Sequence, residues 1–333
     1  MSYSFYTKEK LKYDQAFVIA ADAEKQIQEK GMDGWYNGFM QPFNPNTTNP
    51  LEKAFVWIDD NYYANLKDKW ILDVGCGLGW WAMKMESRGN TVVGVDMYKC
   101  KIQIAQKFKE FFPQKKFSFY EGNVYSLPFA PKWFDVCHSC SVIEHLTTPF
   151  TAGNTMANAA REVTGIIHMG RNPEESPLHE YFYDERKVVE ILDWCFEAHR
   201  VDFIYDNNDF IFAMFVAQTK KIIPYHDDLC SEIFGAPINV VDVQAEYVPV
   251  ESIDMPPPMM PELVDNYVTC LEEGGIELFE NPILPISLVQ NPAVPGRYRT
   301  YGDGTHRTNA LKKYGKLEKI RAIVFKTQEP THD

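Results

Sequence analysis

The chain has 333 residues, a formal net charge of −13 and a hydrophobic fraction of 45%. Its length suits two domains with buried cores, and its apolar content excludes an intrinsically disordered chain. The negative charge disfavours general binding to nucleic acids or to anionic membranes.

The N-terminal sequence and the cysteines indicate in which cellular compartment the protein functions. The N-terminal residues have no apolar signal core, and no stretch is long enough to span a bilayer. The seven cysteines are typical of reduced intracellular thiols, so we expect a cytoplasmic protein without a membrane partner. Cys137 and Cys140 are separated by two residues, but zinc would need two further ligands, and we predict no metal site. The oligomeric state stays open.

The first two thirds of the chain predict an α/β domain over residues 1–220. Residues 1–65 contain helical stretches around a loop rich in Asn and Pro. From Lys69 to Gln218, short apolar runs alternate with helix-length segments, which predicts a mostly parallel sheet covered by helices on both faces. The runs AHRVDFIYDN and DFIFAMFVAQ predict an antiparallel pair that closes this sheet.

A glycine-rich loop follows the first apolar run of that region. The sequence WILDVGCGLGWW has glycines at alternate positions, which let the backbone turn tightly and approach a ligand. A dinucleotide-binding loop would need glycine at the position of Trp80. Asp96 ends the next run, where an acid can accept two hydrogen bonds from a ribose diol. Asn123 ends the third run, and the fourth leads into Glu144 and His145.

These four elements, in this order, resemble the class I S-adenosylmethionine-dependent methyltransferases that act on small molecules. The resemblance covers residues 50–220 and implies a Rossmann-like, seven-stranded fold with S-adenosylmethionine as the cofactor. It implies that the glycines flank the methionine part, that Asp96 holds the ribose and that Asn123 meets the adenine amino group. The cofactor-binding residues implied in this way are Asp73, Gly75, Cys76, Gly77, Gly79, Asp96, Met97, Asn123, Val124 and Ser139. The alternative is a Rossmann-like sheet that binds another ligand, or none.

Methyl transfer to oxygen or carbon also requires a base in many cases. His145 and Glu144 are our catalytic candidates, because they follow the fourth strand at the edge of the sheet where ligands bind. Packing of His145 against the cofactor is the alternative. His138 and His168 are further candidates for the base.

The loop after the fifth run has the polarity of a segment that faces an acceptor. We predict acceptor contacts there at Arg171, His179 and Tyr181. The fourth strand is not followed by D-P-P-Y, N-P-P-F or a Pro-Cys pair, the patterns of DNA base methyltransferases. Ser139-Cys140-Ser141 stands at that point, so DNA base methylation is disfavoured.

The composition changes near residue 220, which predicts a second domain over residues 221–333. Residues 222–296 contain no Lys or Arg and thirteen Asp and Glu, whereas the segment from Arg297 onward has nine basic residues against four acids. A solvated surface is the simplest explanation of the acidic stretch. The strands and helices predicted here resemble, in their order, the ParB and sulfiredoxin-like fold, a smaller α+β domain.

A second loop in this domain carries the pattern D-G-x-H-R of that fold. Its residues are Asp303, Gly304, Thr305, His306 and Arg307. The resemblance implies that they bind nucleotide phosphates, as of ATP or CTP with Mg²⁺, or a phosphorylated substrate. Sulfiredoxin chemistry is excluded, because that enzyme has cysteine at the place of Thr305. A degenerate module used for docking or dimerisation is the alternative.

The leading interpretation is methyl transfer from S-adenosylmethionine to a small-molecule acceptor, with a C-terminal ParB-like module that binds a nucleotide or phosphorylated substrate. One alternative is an enzyme that modifies an unusual nucleotide or a nucleic acid. Another is a non-catalytic protein that binds the cofactor as a sensor.

Overall fold

Strands and helices alternate from residue 70 to residue 219, as the apolar runs predict. The computed structural model describes residues 2–169, 177–206, 209–220, 239–255, 260–276, 279–301 and 305–328. Contacts divide the chain into two units. The first comprises Met1–Leu127 and Phe134–Lys220, and the second comprises Pro128–Trp133 and Lys221–Asp333. The second unit thus includes six residues from within the predicted first domain, which no composition change at residues 128–133 had indicated.

The first unit contains a seven-stranded sheet. Its strands are β1 (Trp70–Val74), β2 (Thr91–Asp96), β3 (Phe117–Glu121), β4 (Phe134–Cys140), β5 (Ala160–His168), β6 (Phe196–Asp206) and β7 (Asp209–Thr219). Its helices are α1 (Ser2–Phe39), α2 (Pro50–Asn61), α3 (Trp80–Glu86), α4 (Lys99–Phe111), α5 (Pro149–Ala159) and α6 (Glu185–Cys195). The helix α1 is interrupted at Gly31, whose φ is +73°.

The strand order is β3-β2-β1-β4-β5-β7-β6. The strands β1 to β5 pair in parallel, whereas β7 lies antiparallel between β5 and β6. The expected antiparallel pair therefore forms, and the predicted Rossmann-like α/β fold of this unit is confirmed. All five residues of β1 are buried, as expected for a central strand with both faces covered.

The core of the first unit is rich in aromatic side chains. Tyr63 and Phe108 are fully buried, and Trp35 stacks on Phe108 with ring centroids 5.2 Å apart. Trp35 belongs to α1 and Phe108 to α4, so this contact fixes the N-terminal helix on the outside of the sheet. Among the described residues, no helix combines the length and the apolar composition that crossing a bilayer requires.

Within its described residues, the second unit contains a five-stranded mixed sheet and two helices. Its elements are β8 (Asn239–Pro249), β9 (Ile253–Asp254), α7 (Pro261–Glu272), β10 (Ser287–Gln290), β11 (Tyr298–Tyr301), α8 (Thr305–Tyr314) and β12 (Lys319–Gln328). The strand order is β8-β12-β10-β11-β9, and β12 pairs in parallel with β10 and antiparallel with β8. The buried residues Leu288, Leu311 and Val324 form part of its own core. Helices and strands alternate in this unit, and the ParB and sulfiredoxin-like fold stays a prediction for it.

Candidate functional site

A cavity of about 300 Å³ lies at the carboxyl ends of the central strands of the first unit. Residues that follow β1, β2, β3 and β4 line it together with one face of α1. The strand order reverses between β1 and β4, and such switch points are where open α/β sheets bind ligands. The lining residues are Glu9, Lys12, Gln15, Ala16, Val74, Gly75, Val95, Asp96, Met97, Tyr98, Lys101, Gly122, Asn123, Val124, Tyr125, Ser141, Val142, His145, Leu146, Thr147 and Leu178.

The glycine-rich loop after β1 needs its glycines for two different reasons. Gly75 lines the cavity at φ +72°, and a Cβ at this position would lie 2.2 Å from Cγ2 of Val142. Gly79 has φ +86°, and a Cβ there would lie 2.6 Å from the ring of Phe119. Gly77 also has a positive φ, of +55°, but a Cβ there would meet no atom within 4 Å. Gly75 and Gly79 are therefore required for close packing, and Gly77 for its backbone conformation alone.

Asp96 fastens the glycine-rich loop to the end of β2. Its Oδ2 accepts a hydrogen bond from the backbone N–H of Gly77 at 3.0 Å, and its Oδ1 accepts one from the N–H of Tyr98 at 2.8 Å. The side chain is 6% exposed and lines the cavity. A carboxylate has about four acceptor positions, so both oxygens keep capacity for hydroxyl donors of a ligand.

Asp73 lies behind the cavity wall. Burial, and then the charge of Asp96, raise the pKa of Asp73 to about 8. Its Oδ2 has no hydrogen-bond partner among the described residues. An acid in this position is neutral at low pH and costs stability once it ionises.

Asn123 follows β3 and lines the cavity. Its side-chain oxygen accepts a hydrogen bond from the N–H of Tyr125 at 2.9 Å and caps the short 3₁₀ turn Val124–Ser126. Met97 and Val124 line the cavity as well. The other residues predicted to bind the cofactor do not line it; these are Asp73, Cys76, Gly77, Gly79 and Ser139.

One face of α1 lines the cavity, which the sequence interpretation missed. Glu9, Lys12, Gln15 and Ala16 all lie there. Their spacing places them on one face of a helix, a signal that was present in the sequence. Lys12 is 8% exposed, and its Nζ donates to Oε1 of Glu180 at 2.6 Å and to the backbone oxygen of His145 at 3.0 Å.

The two catalytic candidates differ in their access to the cavity. His145 lines it, and its Nδ1 lies 3.1 Å from the backbone oxygen of Leu178. A proton on Nδ1 satisfies that contact and leaves Nε2 with a lone pair. Burial lowers the pKa of His145, although the Leu178 oxygen opposes the shift. Glu144 is fully buried and does not line the cavity; its Oε1 accepts from the N–H of His168 at 3.2 Å.

His138 is placed in the core rather than at the cavity. It is fully buried, its Nδ1 is bonded to the hydroxyl of Tyr63, and burial lowers its pKa to about 3. The ring of Trp81 packs 5.0 Å from it. These contacts make His138 a packing residue, so it is no longer a candidate for the base.

Of the three residues predicted to contact the acceptor, two lie within the described residues and one does not. Arg171 lies outside the described residues. His179 is 5% exposed, and its ring lies 4.9 Å from that of His145. The hydroxyl of Tyr181 donates to the backbone oxygen of Thr147, a cavity residue, at 2.8 Å. His179 and Tyr181 therefore lie near the cavity, while their contact with an acceptor stays a prediction.

In the second unit, Asp303 and Gly304 lie outside the described residues, and the described part of the predicted phosphate loop begins α8. Nε2 of His306 accepts from the N–H of Met260 at 3.3 Å. The guanidinium of Arg307 donates to the backbone oxygens of Leu284 at 2.6 Å and Pro285 at 3.2 Å. The Thr305 hydroxyl lies 3.4 Å from that of Thr300. A phosphate at this loop would share Arg307 with these carbonyl groups.

Comparison with known proteins bears on the first unit. Residues 72–167 match the family model described as a methyltransferase domain. A tRNA U34 carboxymethyltransferase of Pseudomonas savastanoi is 25% identical over 159 residues, which are 44% of this chain and 49% of that protein. A ubiquinone biosynthesis O-methyltransferase of Pseudomonas syringae is 35% identical over 104 residues, 30% of this chain and 42% of that protein. The chain thus spans about half the length of these curated relatives, or less.

The solved structures that are similar include the YcgJ protein of Bacillus subtilis, at 14% identity and a TM-score of 0.43. The similarity covers 50% of this chain and 99% of that one. Residues 72–167 are therefore an S-adenosylmethionine-dependent methyltransferase domain within the first unit.

Proposed function

We propose that the first unit transfers a methyl group from S-adenosylmethionine to a small-molecule acceptor. The observation that carries this proposal is the convergence of Gly75, Asp96 and Asn123 on one cavity, from the ends of three neighbouring strands. Asp96 supplies acceptors for the ribose hydroxyls, and the loop at Gly75 lets the methionine part approach the backbone. Asn123 would meet the adenine amino group with its side-chain oxygen.

His145 is the proposed base. It lines the cavity, and its Nδ1 contact with the Leu178 oxygen orients Nε2 as the proton acceptor. Transfer from a sulfonium is an in-line displacement, so positioning carries much of the rate and His145 would remove the proton of an attacking hydroxyl. Glu144 does not line the cavity, so a direct part in proton transfer would require a side-chain movement.

A small acceptor is favoured by charge. The chain carries a net charge of −13, whereas phosphate contacts dominate binding to RNA and require basic surfaces. One relative is named for carboxymethyl transfer to tRNA U34, and another is named as an O-methyltransferase of ubiquinone biosynthesis. Modification of an unusual nucleotide or nucleic acid is therefore the second candidate, and cofactor sensing without turnover is the third.

Calorimetric titration of S-adenosylmethionine into the full chain tests the cofactor site. Asp96→Asn removes a charged acceptor, and one such hydrogen bond is worth about 1.5–3 kcal/mol, so affinity should fall about 10- to 150-fold. Glu121→Gln is the matched control, because Glu121 ends the neighbouring strand in register with Asp96 but does not line the cavity. Equal affinities for the two variants would remove Asp96 from the site.

Methyl-labelled S-adenosylmethionine distinguishes the three functions. Incubation with cell extract, followed by separation of RNA from small molecules, should place the label in the small-molecule fraction. Label in RNA alone would support the second candidate, and salt-sensitive RNA binding would accompany it. Tight cofactor binding without any labelled product would support the sensor.

For the second unit we propose a ParB-like module whose loop, from Asp303 to Arg307, binds the phosphates of ATP or CTP with Mg²⁺, or of a phosphorylated substrate. The order of strands and helices and the position of Thr305 at the first residue of α8 support it, since helix N-termini favour anions. Either nucleotide should raise the melting temperature of the full chain, and Arg307→Ala should abolish the rise. An unchanged melting temperature with both ATP and CTP would contradict phosphate binding and favour a docking module.

A further inference from the structure

Three potential metal ligands meet beside the cavity. Glu144 belongs to the 3₁₀ turn that follows β4, His168 ends β5, and His179 precedes α6. One ligand atom from each of these residues lies within 4.8 Å of the other two. Three separate elements thus bring a carboxylate and two imidazoles together.

Buried polar atoms of this cluster lack partners. Glu144 is fully buried and His179 is 5% exposed. Neither Oε2 of Glu144 nor Nδ1 of His179 has a hydrogen-bond partner in the part of the chain that the structure describes. Buried polar groups are nearly always satisfied, so both atoms have the capacity to bind a ligand.

The backbone around the cluster holds the ligands in place. The N–H of His168 donates to Oε1 of Glu144 at 3.2 Å, and the N–H of Glu180 donates to the backbone oxygen of Glu144 at 2.9 Å. The ring of His168 stacks on Phe212 at 4.8 Å and stands edge-on to the ring of His179 at 4.9 Å. The two imidazoles are therefore packed rather than mobile.

Burial shifts the pKa of the carboxyl and of one imidazole in this cluster. Burial raises the pKa of Glu144 to about 8, against the lowering effect of backbone N–H groups and the Ser141 hydroxyl. Burial, and then the neighbouring His145 and His168, lower the pKa of His179 to about 4. Neutral imidazoles keep the lone pairs that metals require, and a cation would hold the buried carboxyl ionised.

We propose that Glu144, His168 and His179 bind one divalent transition-metal ion, such as Zn²⁺ or Mn²⁺. Two histidines and one carboxylate are a common donor set for such ions and leave coordination positions open for water or substrate. Ligand bonds of about 2.0–2.2 Å hold neighbouring ligand atoms about 3–3.7 Å apart, so separations of up to 4.8 Å shorten when the ion binds.

The site adjoins the cavity through His145, which lines the cavity and whose ring is 4.9 Å from that of His179. We assign the ion the role of binding an oxygen of the methyl acceptor near His145. This role rests on the proposed methyl transfer, whereas metal binding itself does not.

The test uses the full chain without a histidine tag, stripped with EDTA and titrated with Co²⁺. The wild type should bind one equivalent and develop visible d–d absorption bands. Glu144→Gln, which keeps the shape of the side chain, and His179→Ala should weaken binding more than about 100-fold, because loss of outer-sphere partners alone costs 10- to 100-fold. His199→Ala is the control: its ring is 3.6 Å from Asp193 and outside the cluster.

Failure of the wild type to bind Co²⁺ or Zn²⁺ would overturn the site, and so would undiminished binding by folded Glu144→Gln and His179→Ala variants. Thermal melting of each variant establishes that it is folded. S-adenosylmethionine is titrated into the same stripped protein. Binding of the cofactor without binding of metal would contradict the metal site alone, and binding of metal without binding of the cofactor would contradict the cofactor site alone.

Discussion

Replacement of Gly75 by alanine is a sharper test of cofactor binding in the cavity than removal of a polar contact. The added Cβ would lie 2.2 Å from Cγ2 of Val142, whereas ordinary contacts begin near 3.4 Å. Overpacking of this kind costs about 1–3 kcal/mol, and the positive φ of Gly75 adds about 1–2 kcal/mol. The free protein can relieve the overlap by moving the loop, but a bound cofactor requires the loop in place. The overlap should therefore weaken S-adenosylmethionine binding about 5- to 150-fold.

Gly77→Ala is the matched control for the energetic cost of a positive φ, because Gly77 has φ +55° and a Cβ there would have open space around it. The double variant Gly75→Ala/Val142→Ala removes the clashing methyl groups and leaves Val142 only its Cβ, at 3.4 Å. It should recover most of the lost affinity relative to Val142→Ala alone, as measured by calorimetry and urea unfolding. Equal affinity and stability for Gly75→Ala and Gly77→Ala would refute the close contact between the loop and Val142.

Three further outcomes follow from the first unit. His145→Gln should cut turnover about 100-fold with little change in cofactor affinity, and a parallel loss of affinity would indicate packing instead. Lys12→Met leaves Glu180 only its longer ion pair with Lys8, at 3.6 Å, and should lower the urea unfolding free energy by about 1.5–3 kcal/mol, the worth of a hydrogen bond to a charged group. Lys25→Met, in an exposed pair with Glu29, should change it little. Asp73, whose pKa burial raises to about 8, keeps a proton in the folded state that the unfolded chain releases above about pH 4. Stability should therefore fall from pH 4 to 8, and less steeply in Asp73→Asn; parallel curves for the two proteins would contradict this.

The sequence predicted much of the first unit because its periodicity is strong. Buried strands such as β1 read as uninterrupted apolar runs, and helix-length segments separate them, so the alternation was visible without a structure. Strand order does not follow from periodicity and was not predicted; the resemblance to a family implied only the seven-stranded sheet. The grouping of Pro128–Trp133 with the second unit depends on tertiary contacts, as when the N–H of Ala130 donates to the backbone oxygen of Pro282.

Only some residues of the candidate site could be predicted from the sequence. Asp96 ends β2 and Asn123 comes shortly after β3, and the ends of parallel strands meet at one edge, so their position at the cavity could be expected. The contribution of α1 was not expected, because Lys12 reaches the site only after α1 has packed on the sheet. His138 illustrates the opposite error: a histidine considered as a candidate base is a buried partner of Tyr63.

The proposed metal site shows why spacing alone was not informative. Glu144 and His168 are separated by a whole helix and strand, and His179 follows at a distance that matches no ligand motif. What joins them is the parallel pairing of β4 with β5, which brings the residues after both strands to the same edge of the sheet. The residues proposed for ribose and adenine follow β2 and β3, on the other side of β1. An acceptor held by the metal would therefore approach from the β4–β5 side, next to His145, and would not compete with the cofactor for the same wall of the cavity.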